Sequence, residues 1–405
     1  MSAGQPQPGN HSIREQLYDY ISDLRIVSSH THILSDQQLA QTDLDFILSN
    51  SYLAWVCPPP EKTHAARQEY ILAHQCNSYF RWLFKSLHKI YGVEVTADSF
   101  EELDARIKKA KEDSAFHINI LKNSCGFERA ILDKADIPGY DNGHPDVFSP
   151  AYRINMFMDG YSSTASDYNG VKAYDHIDIG SISTFDEYLE AMKAEIRNKK
   201  QQGIVAIKNA TAYERSQIYD NTDKHKAAKA FFNPGASAED IRNFGDYIMF
   251  TIAGLAEELG LPIQMHAGLG NIDNTRAIGM RKLIESYPNV KFDIFHAGYP
   301  WTSDVLALLH NLKNTYVDLC WLPLLSTTEA KDFLIKALEV ASAHRICWGC
   351  DTLTSEESFG AVLAMRAVFS DALTDMILDG ALDLEYAKYI AHRILVDNPK
   401  ELYKL

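Results

Sequence analysis

The feature that most constrains this chain is a succession of short apolar runs, each closed by a polar turn. Eight of them read as strands: 24–29 (LRIVSS), 127–132 (FERAIL), 152–157 (YRINMF), 203–208 (GIVAIK), 261–266 (LPIQMH), 290–295 (VKFDIF), 314–319 (NTYVDL) and 344–349 (HRICWG). Helical periodicity occupies 238–258, 274–286, 302–312 and 328–342 between the later runs. Alternating strands and helices build a parallel sheet, and strands that are apolar nearly throughout are those buried on both faces. Eight such units predict an α/β fold, a (β/α)8 or TIM barrel.

The barrel is distorted by one interval. Between the first and second strands lie about 95 residues, where a simple crossover needs roughly 20 to 30. The inserted text reads as helices, in TDLDFILSN, HAARQEYILAHQCNSYFRWLFKSLHKIYG and SFEELDARIKKAKED. It follows the C-terminal end of a strand, and active sites of barrels are built there from the loops, so it is expected to cap the mouth. The expected layout is an N-terminal segment with the first strand over 1–35 and a helical cap over 36–120. The rest of the barrel follows over 121–405, closed by terminal helices from 355 onward.

With 39 Lys and Arg against 54 Asp and Glu the formal charge is −15, and 46% of residues are hydrophobic. A negative surface repels phosphate, which argues against a nucleic-acid partner or an anionic membrane. There is no run of apolar residues long enough for a bilayer, and the start MSAGQPQPGN lacks the basic and apolar regions of an export signal. The expected compartment is the cytoplasm. Six scattered cysteines then read as reduced thiols. Cys347 and Cys350 form a CxxC pair, but at a strand end rather than at a helix start, which favours a structural role over a redox one.

The chemistry-bearing residues gather at strand ends. His30 and His32 close the first strand, and alternation places both on one face about 7 Å apart at Cα. Lys208 ends the fourth strand, His266 the fifth, His296 the sixth, and Asp351 follows the eighth. In a closed barrel these positions converge on one point. Imidazole suits Zn, Mn, Fe and Ni, and a carboxylate completes a site that keeps a position open for water. The expected cofactor is one or two divalent ions, zinc first, with Mn, Fe or Ni as alternatives. Asp351 is placed to move the proton of an attacking water. Lys208 is either a ligand, once neutralised or carbamylated by CO₂, or an anchor for a substrate carboxylate. Tyr213 and Arg215 in the following NATAYER segment, and Trp301 with Tyr299 and Trp321 after later strands, are candidates for substrate contact.

HTH after strand one, Lys after strand four, HAG after strand five, FHAGYP after strand six and GCDT after strand eight resemble the amidohydrolase superfamily, specifically its amidohydrolase-related branch. The similarity is greatest to the amidohydrolase-like domain fused to glutamine synthetase in fungi and plants, while the helical insertion resembles that of uronate isomerases. The resemblance implies His30 and His32 as ligands of a first metal, Asp351 as ligand and proton shuttle, and a carboxylated Lys208 bridging two metals. His266 and His296 would bind the second ion, or His266 would join the first while His296 polarises the substrate. The leading expectation is hydrolysis of an amide, lactone or ester in a small carboxylate-bearing substrate. The alternatives are isomerisation of a sugar acid or non-oxidative decarboxylation at the same site, and a barrel retained as a non-enzymatic scaffold. A small molecule is the expected partner. A homo-oligomer is allowed, and no sequence feature fixes the number of subunits.

Overall fold

The computed structural model describes residues 12–405, so the reading of the first ten residues as free of an export signal lies outside it. The strands are β1 Ile26–Thr31, β2 Phe127–Leu132, β3 Phe148–Arg153, β4 Ala206–Asn209, β5 Ile263–Met265, β6 Phe292–Ile294, β7 Thr315–Asp318 and β8 Ile346–Cys347. They lie side by side in chain order, every neighbouring pair parallel. The segment after β8 then returns to β1. Ser29 N–H donates to the Trp348 carbonyl at 3.2 Å, Asp351 N–H to His30 at 3.0 Å, and His32 N–H to Thr352 at 3.0 Å. Gly349 permits this approach, because a Cβ there would stand 2.5 Å from the His30 nitrogen. The fold is a TIM barrel.

One strand differs from its sequence reading. The third forms at Phe148–Arg153 rather than 152–157, and residues 155–158 make a helical turn instead. Pro150 sits inside the strand, where its missing N–H argues against a strand in sequence reading. The shift has consequences, since Arg153 becomes a strand-end residue.

The insertion carries the helices Asp36–Leu39, Leu44–Asn50, His64–His74, Ser78–Tyr91, Phe100–Ala110 and Phe116–Asn119. Its central text breaks in two at residues 75–77, where the Asn77 side chain accepts from Phe80 N–H and starts a new helix. The front of the insertion overhangs the mouth through Tyr52 and Trp55, and Asn77 and Tyr79 line a chamber beside it. The rest of the Ser78–Tyr91 helix turns its buried Trp82, Leu83 and Leu87 to the Ser355–Leu378 helix. Tyr79 Oη donates to Glu357 and Tyr91 Oη to Glu356, each at 2.6 Å.

A polar layer fills the barrel interior. Gln264 Nε2 donates to the Ser29 carbonyl and to Tyr403 Oη, both at 3.0 Å, and Ser29 Oγ donates to Asp318. This network grips β1 one residue before His30. Among the described residues no helix is long and apolar enough to cross a membrane, and all six cysteines are free thiols, with Cys347 and Cys350 buried.

Candidate metal centre

His30 projects from the end of β1 and is 1% exposed; His32 follows one residue past the strand. Their Nε2 atoms lie 3.2 Å apart. Asp351, from the turn after β8, places Oδ1 3.4 Å from both nitrogens. That oxygen is buried and makes no hydrogen bond. An unpartnered buried carboxylate oxygen is costly unless a cation faces it. Three donors at about this separation match the ligand edges around an ion held by bonds of roughly 2 Å. The residues present therefore fit a divalent metal.

The two histidines are held as ligands need to be held. His32 Nδ1 lies 2.7 Å from the Asp133 carbonyl, which fixes the proton on Nδ1 and leaves Nε2 as the lone-pair donor. Burial pulls the titration of His30 well below the ordinary histidine value and also lowers that of His32, so both are neutral imidazoles.

His296 and Asp351 form a second grouping with Cys320, sharing the same carboxylate. His296 Nδ1 is 3.5 Å from Asp351 Oδ2 and 3.1 Å from the Cys320 carbonyl. Its Nε2 faces His266 Nδ1 at 3.1 Å, and His266 Nε2 lies 2.6 Å from the Leu269 carbonyl. Burial pulls His266 down to about 3, so it too is uncharged. The Leu269 carbonyl fixes the proton of His266 on Nε2, so its Nδ1 lone pair faces the Nε2 lone pair of His296.

Lys208 lies at the bottom of the cavity, 3.4 Å from His30 Nε2 and 3.7 Å above the centre of the Phe295 ring. Burial pulls its ammonium down to about 8, against the pull of Asp133 and Asp351 in the other direction. A lysine so close to neutrality at physiological pH can present a free amine.

The remaining expected residues divide. Tyr213 lines the cavity, its ring 4.8 Å from that of His266. Arg215 does not reach it, because its guanidinium is taken by the buried Asp246 and covers the Tyr219 ring. Trp301 also lies outside, beneath Arg276 at 5.3 Å. The arginine in the cavity is Arg153, whose Nη2 and Nε reach the two oxygens of Asp133 at 2.6 and 3.1 Å. That pair holds the Asp133 carboxyl well below its usual range despite burial. Asp133 follows β2 at a strand end, the same signal that marks the other residues, whereas Arg153 is visible only once β3 is placed correctly. Tyr52 and Trp55 come from the insertion and carry no local motif.

The cavity above these groups measures about 250 Å³ and holds Lys134, Arg153 and Lys208 against Asp133, Asp136 and Asp351. A second, aromatic chamber of about 540 Å³ adjoins it and shares Tyr52, Trp55, Tyr168, Tyr213 and Trp321.

The sequence profile of the family described as Amidohydrolase matches residues 179–405, more than half of the chain. The chain belongs to the amidohydrolase family. Among curated relatives, Protein fluG of Emericella nidulans is 33% identical over 153 residues, covering 36% of this chain. The matched part is 17% of that relative's length. Among solved structures, a uronate isomerase of Thermotoga maritima superposes with a TM-score of 0.75 at 17% identity, covering 96% of this chain and 97% of the other. A candidate metal-dependent hydrolase of Lactobacillus casei ATCC 334 gives 0.71 at 17% identity with the same coverage. At such identities the likeness is one of fold. It extends over the insertion as well as the barrel, so this amidohydrolase shares with both structures a barrel carrying extra chain.

Proposed function

We propose that this amidohydrolase is a metal-dependent hydrolase of an amide, lactone or ester in a small substrate that carries both a carboxylate and an apolar group. The observation that carries the reading is Asp351 Oδ1, buried and without a hydrogen bond, equidistant from two imidazole nitrogens. His30, His32 and Asp351 would hold the ion, zinc being the first choice for that donor set. A bound zinc ion lowers the pKa of water and polarises a carbonyl. Asp351, whose second oxygen faces His296, takes the proton of the attacking water and returns it to the leaving group. With Nδ1–H turned to the Cys320 carbonyl, neutral His296 presents Nε2 as a lone pair, which suits a metal ion. Lys208, His266 and His296 could hold a second ion only if Lys208 is neutralised, by proton loss or by carbamylation.

Substrate class follows from charge and surface. Three cations face three carboxylates in the cavity, so a divalent ion would make it net positive, which suits an anionic substrate. Arg153, already paired with Asp133, and Lys134, paired with Asp136, would be the cations facing it, and Tyr213 would pack against its body. The adjoining aromatic chamber favours an apolar extension over a fully hydroxylated sugar acid, which needs hydrogen-bond partners along its whole length.

The test is turnover of carboxylate-bearing aryl esters, lactones and amides in ¹⁸O-labelled water, beside uronates and aromatic carboxylic acids, with metal counted per chain. The hydrolytic reading expects label in the product carboxylate, loss of activity on chelation, and a fall in kcat on the order of 10²- to 10⁴-fold in Asp351→Asn. Ketose formed from a uronate with no label in its carboxylate, or release of CO₂, would replace it with isomerase or decarboxylase chemistry. A Lys208→Ala variant with one ion fewer than the parent supports the bridged pair, and an unchanged count assigns Lys208 to the substrate.

A further inference from the structure

Outside the barrel interior, three side chains from distant parts of the sequence meet at one point. Asp36 opens the Asp36–Leu39 helix just beyond β1, His117 lies in the Phe116–Asn119 helix that ends the insertion, and His144 lies in the loop between β2 and β3. His117 Nε2 is 3.1 Å from Asp36 Oδ1, and His144 Nε2 is 3.0 and 2.9 Å from Oδ1 and Oδ2. The candidate ligand atoms all fall within 4.8 Å of one another. The two imidazoles stand nearly perpendicular at 81°, and each aims one nitrogen at Asp36. His117 is 5% exposed, while Asp36 faces solvent.

We propose that Asp36, His117 and His144 form a second divalent-metal site, separate from the one in the barrel and structural in role. Two imidazole nitrogens and one carboxylate make a donor set suited to zinc, with the solvent side of Asp36 leaving room for water as a fourth ligand. Around bonds of about 2 Å the tetrahedral edges are roughly 3.3 Å, so the donors, now within 4.8 Å of one another, would draw in around an ion. The backbone supporting the donors is fixed independently of them. Asn142, in a left-handed conformation at φ 56°, donates from Nδ2 to the Ile33 carbonyl at 2.8 Å, tying the loop of His144 to the segment that leads into Asp36. The His144 carbonyl accepts from Val147 and Phe148 N–H, which anchors the same loop to the start of β3.

The location supplies the role. The three donors join the end of β1, the end of the insertion and the β2–β3 loop. Leu34 and Lys134 through Asp136, neighbours in the first and third of these segments, form one wall of the substrate cavity. None of the three donors lines that cavity. An ion here fastens the insertion to the barrel and stiffens the wall without touching substrate.

The test counts metal and does not depend on turnover. Protein stripped with chelator is reloaded with Zn²⁺, and separately with Co²⁺, and analysed for metal per chain alongside His144→Ala, Asp36→Asn and His32→Ala. The expected result is one ion fewer in His144→Ala and in Asp36→Asn, a separate loss in His32→Ala, and additive losses when His32→Ala is combined with either. Added Zn²⁺ should also raise the melting temperature of His32→Ala, and this rise should vanish in the double variant. Asp36→Asn keeps the shape of the side chain and one acceptor oxygen for the imidazoles, so it carries the result if His144→Ala does not fold. An unchanged metal count in folded Asp36→Asn overturns the proposal, whatever reaction the barrel performs.

Discussion

Four residues that follow barrel strands hold left-handed backbone although none is glycine: His296 at φ 59°, Ala297 at 49°, Trp321 at 61° and Asp351 at 52°. Each such position costs about 1–3 kcal/mol and persists only where the surroundings enforce it. His296, Trp321 and Asp351 are all buried in this conformation, at the ends of β6, β7 and β8. A different residue marks the electrostatics behind the cavity. Burial, then the nearby Glu214 and Asp167, raise the Asp159 carboxyl to about 7. Its unfolded value is that of an ordinary aspartate near 3.8, so between these values the native state holds a proton that the unfolded state has lost. The stability this provides is complete below about pH 4 and disappears as pH rises through about 7. Asp159→Asn should therefore flatten that decline. Urea midpoints measured across the interval should show the variant gaining on the parent with rising pH, and a gap that stays constant would refute the assignment.

At the scale of elements, most strands and the later helices could be read because their apolar spacing is strong, and the strand-end histidines could be read because each sits where such a strand stops. The exceptions have physical causes. Pro150 disguises β3, and with it the position of Arg153; residues 75–77 interrupt an amphipathic pattern that continues on both sides, because the Asn77 cap is a local hydrogen bond and not a change in periodicity. Arg215 was near the right strand end but finds Asp246 on the Ala238–Leu259 helix, a contact no local signal announces. The insertion's main docking face was equally hidden, since an amphipathic helix declares that it packs and not against what. That face is testable. Gly360 lets the Ser355–Leu378 helix approach closely, for a Cβ there would lie 3.1 Å from the Trp82 carbonyl, and Leu83, 1% exposed, fills the contact. Leu83→Ala should lower unfolding free energy by about 2–5 kcal/mol, measured in urea, while the metal count of the barrel stays unchanged. A matching loss of metal would mean that the insertion and the ligand set are coupled more tightly than their separation suggests.

The whole molecule depends on the ring being shut. His30 lies in the first strand, His32 just past its end and Asp351 in the segment after the last, so the candidate ligand set exists only where the two ends of the sheet meet. Hydrogen bonds from Ser29, His32 and Asp351 sew that seam, and Gly349 lies in it with no room for a side chain: a Cβ would come within 2.5 Å of the His30 nitrogen, 2.9 Å of Ser29 Oγ and 3.0 Å of the His30 carbonyl oxygen. Two of those three atoms are backbone, so relief requires β1 and the segment after β8 to part. The seam would have to open by several tenths of an ångström at the point where Asp351 Oδ1 stands 3.4 Å from both imidazoles. Gly349→Ala should thus act twice, lowering stability by about 1–3 kcal/mol through overpacking and weakening metal binding far more than a methyl group remote from the ligands otherwise would. Competition with a chromophoric chelator gives the affinity and circular dichroism verifies that the barrel persists. A variant that loses stability yet binds metal as tightly as the parent would show that the ligands are held by their own strands and not by closure of the ring.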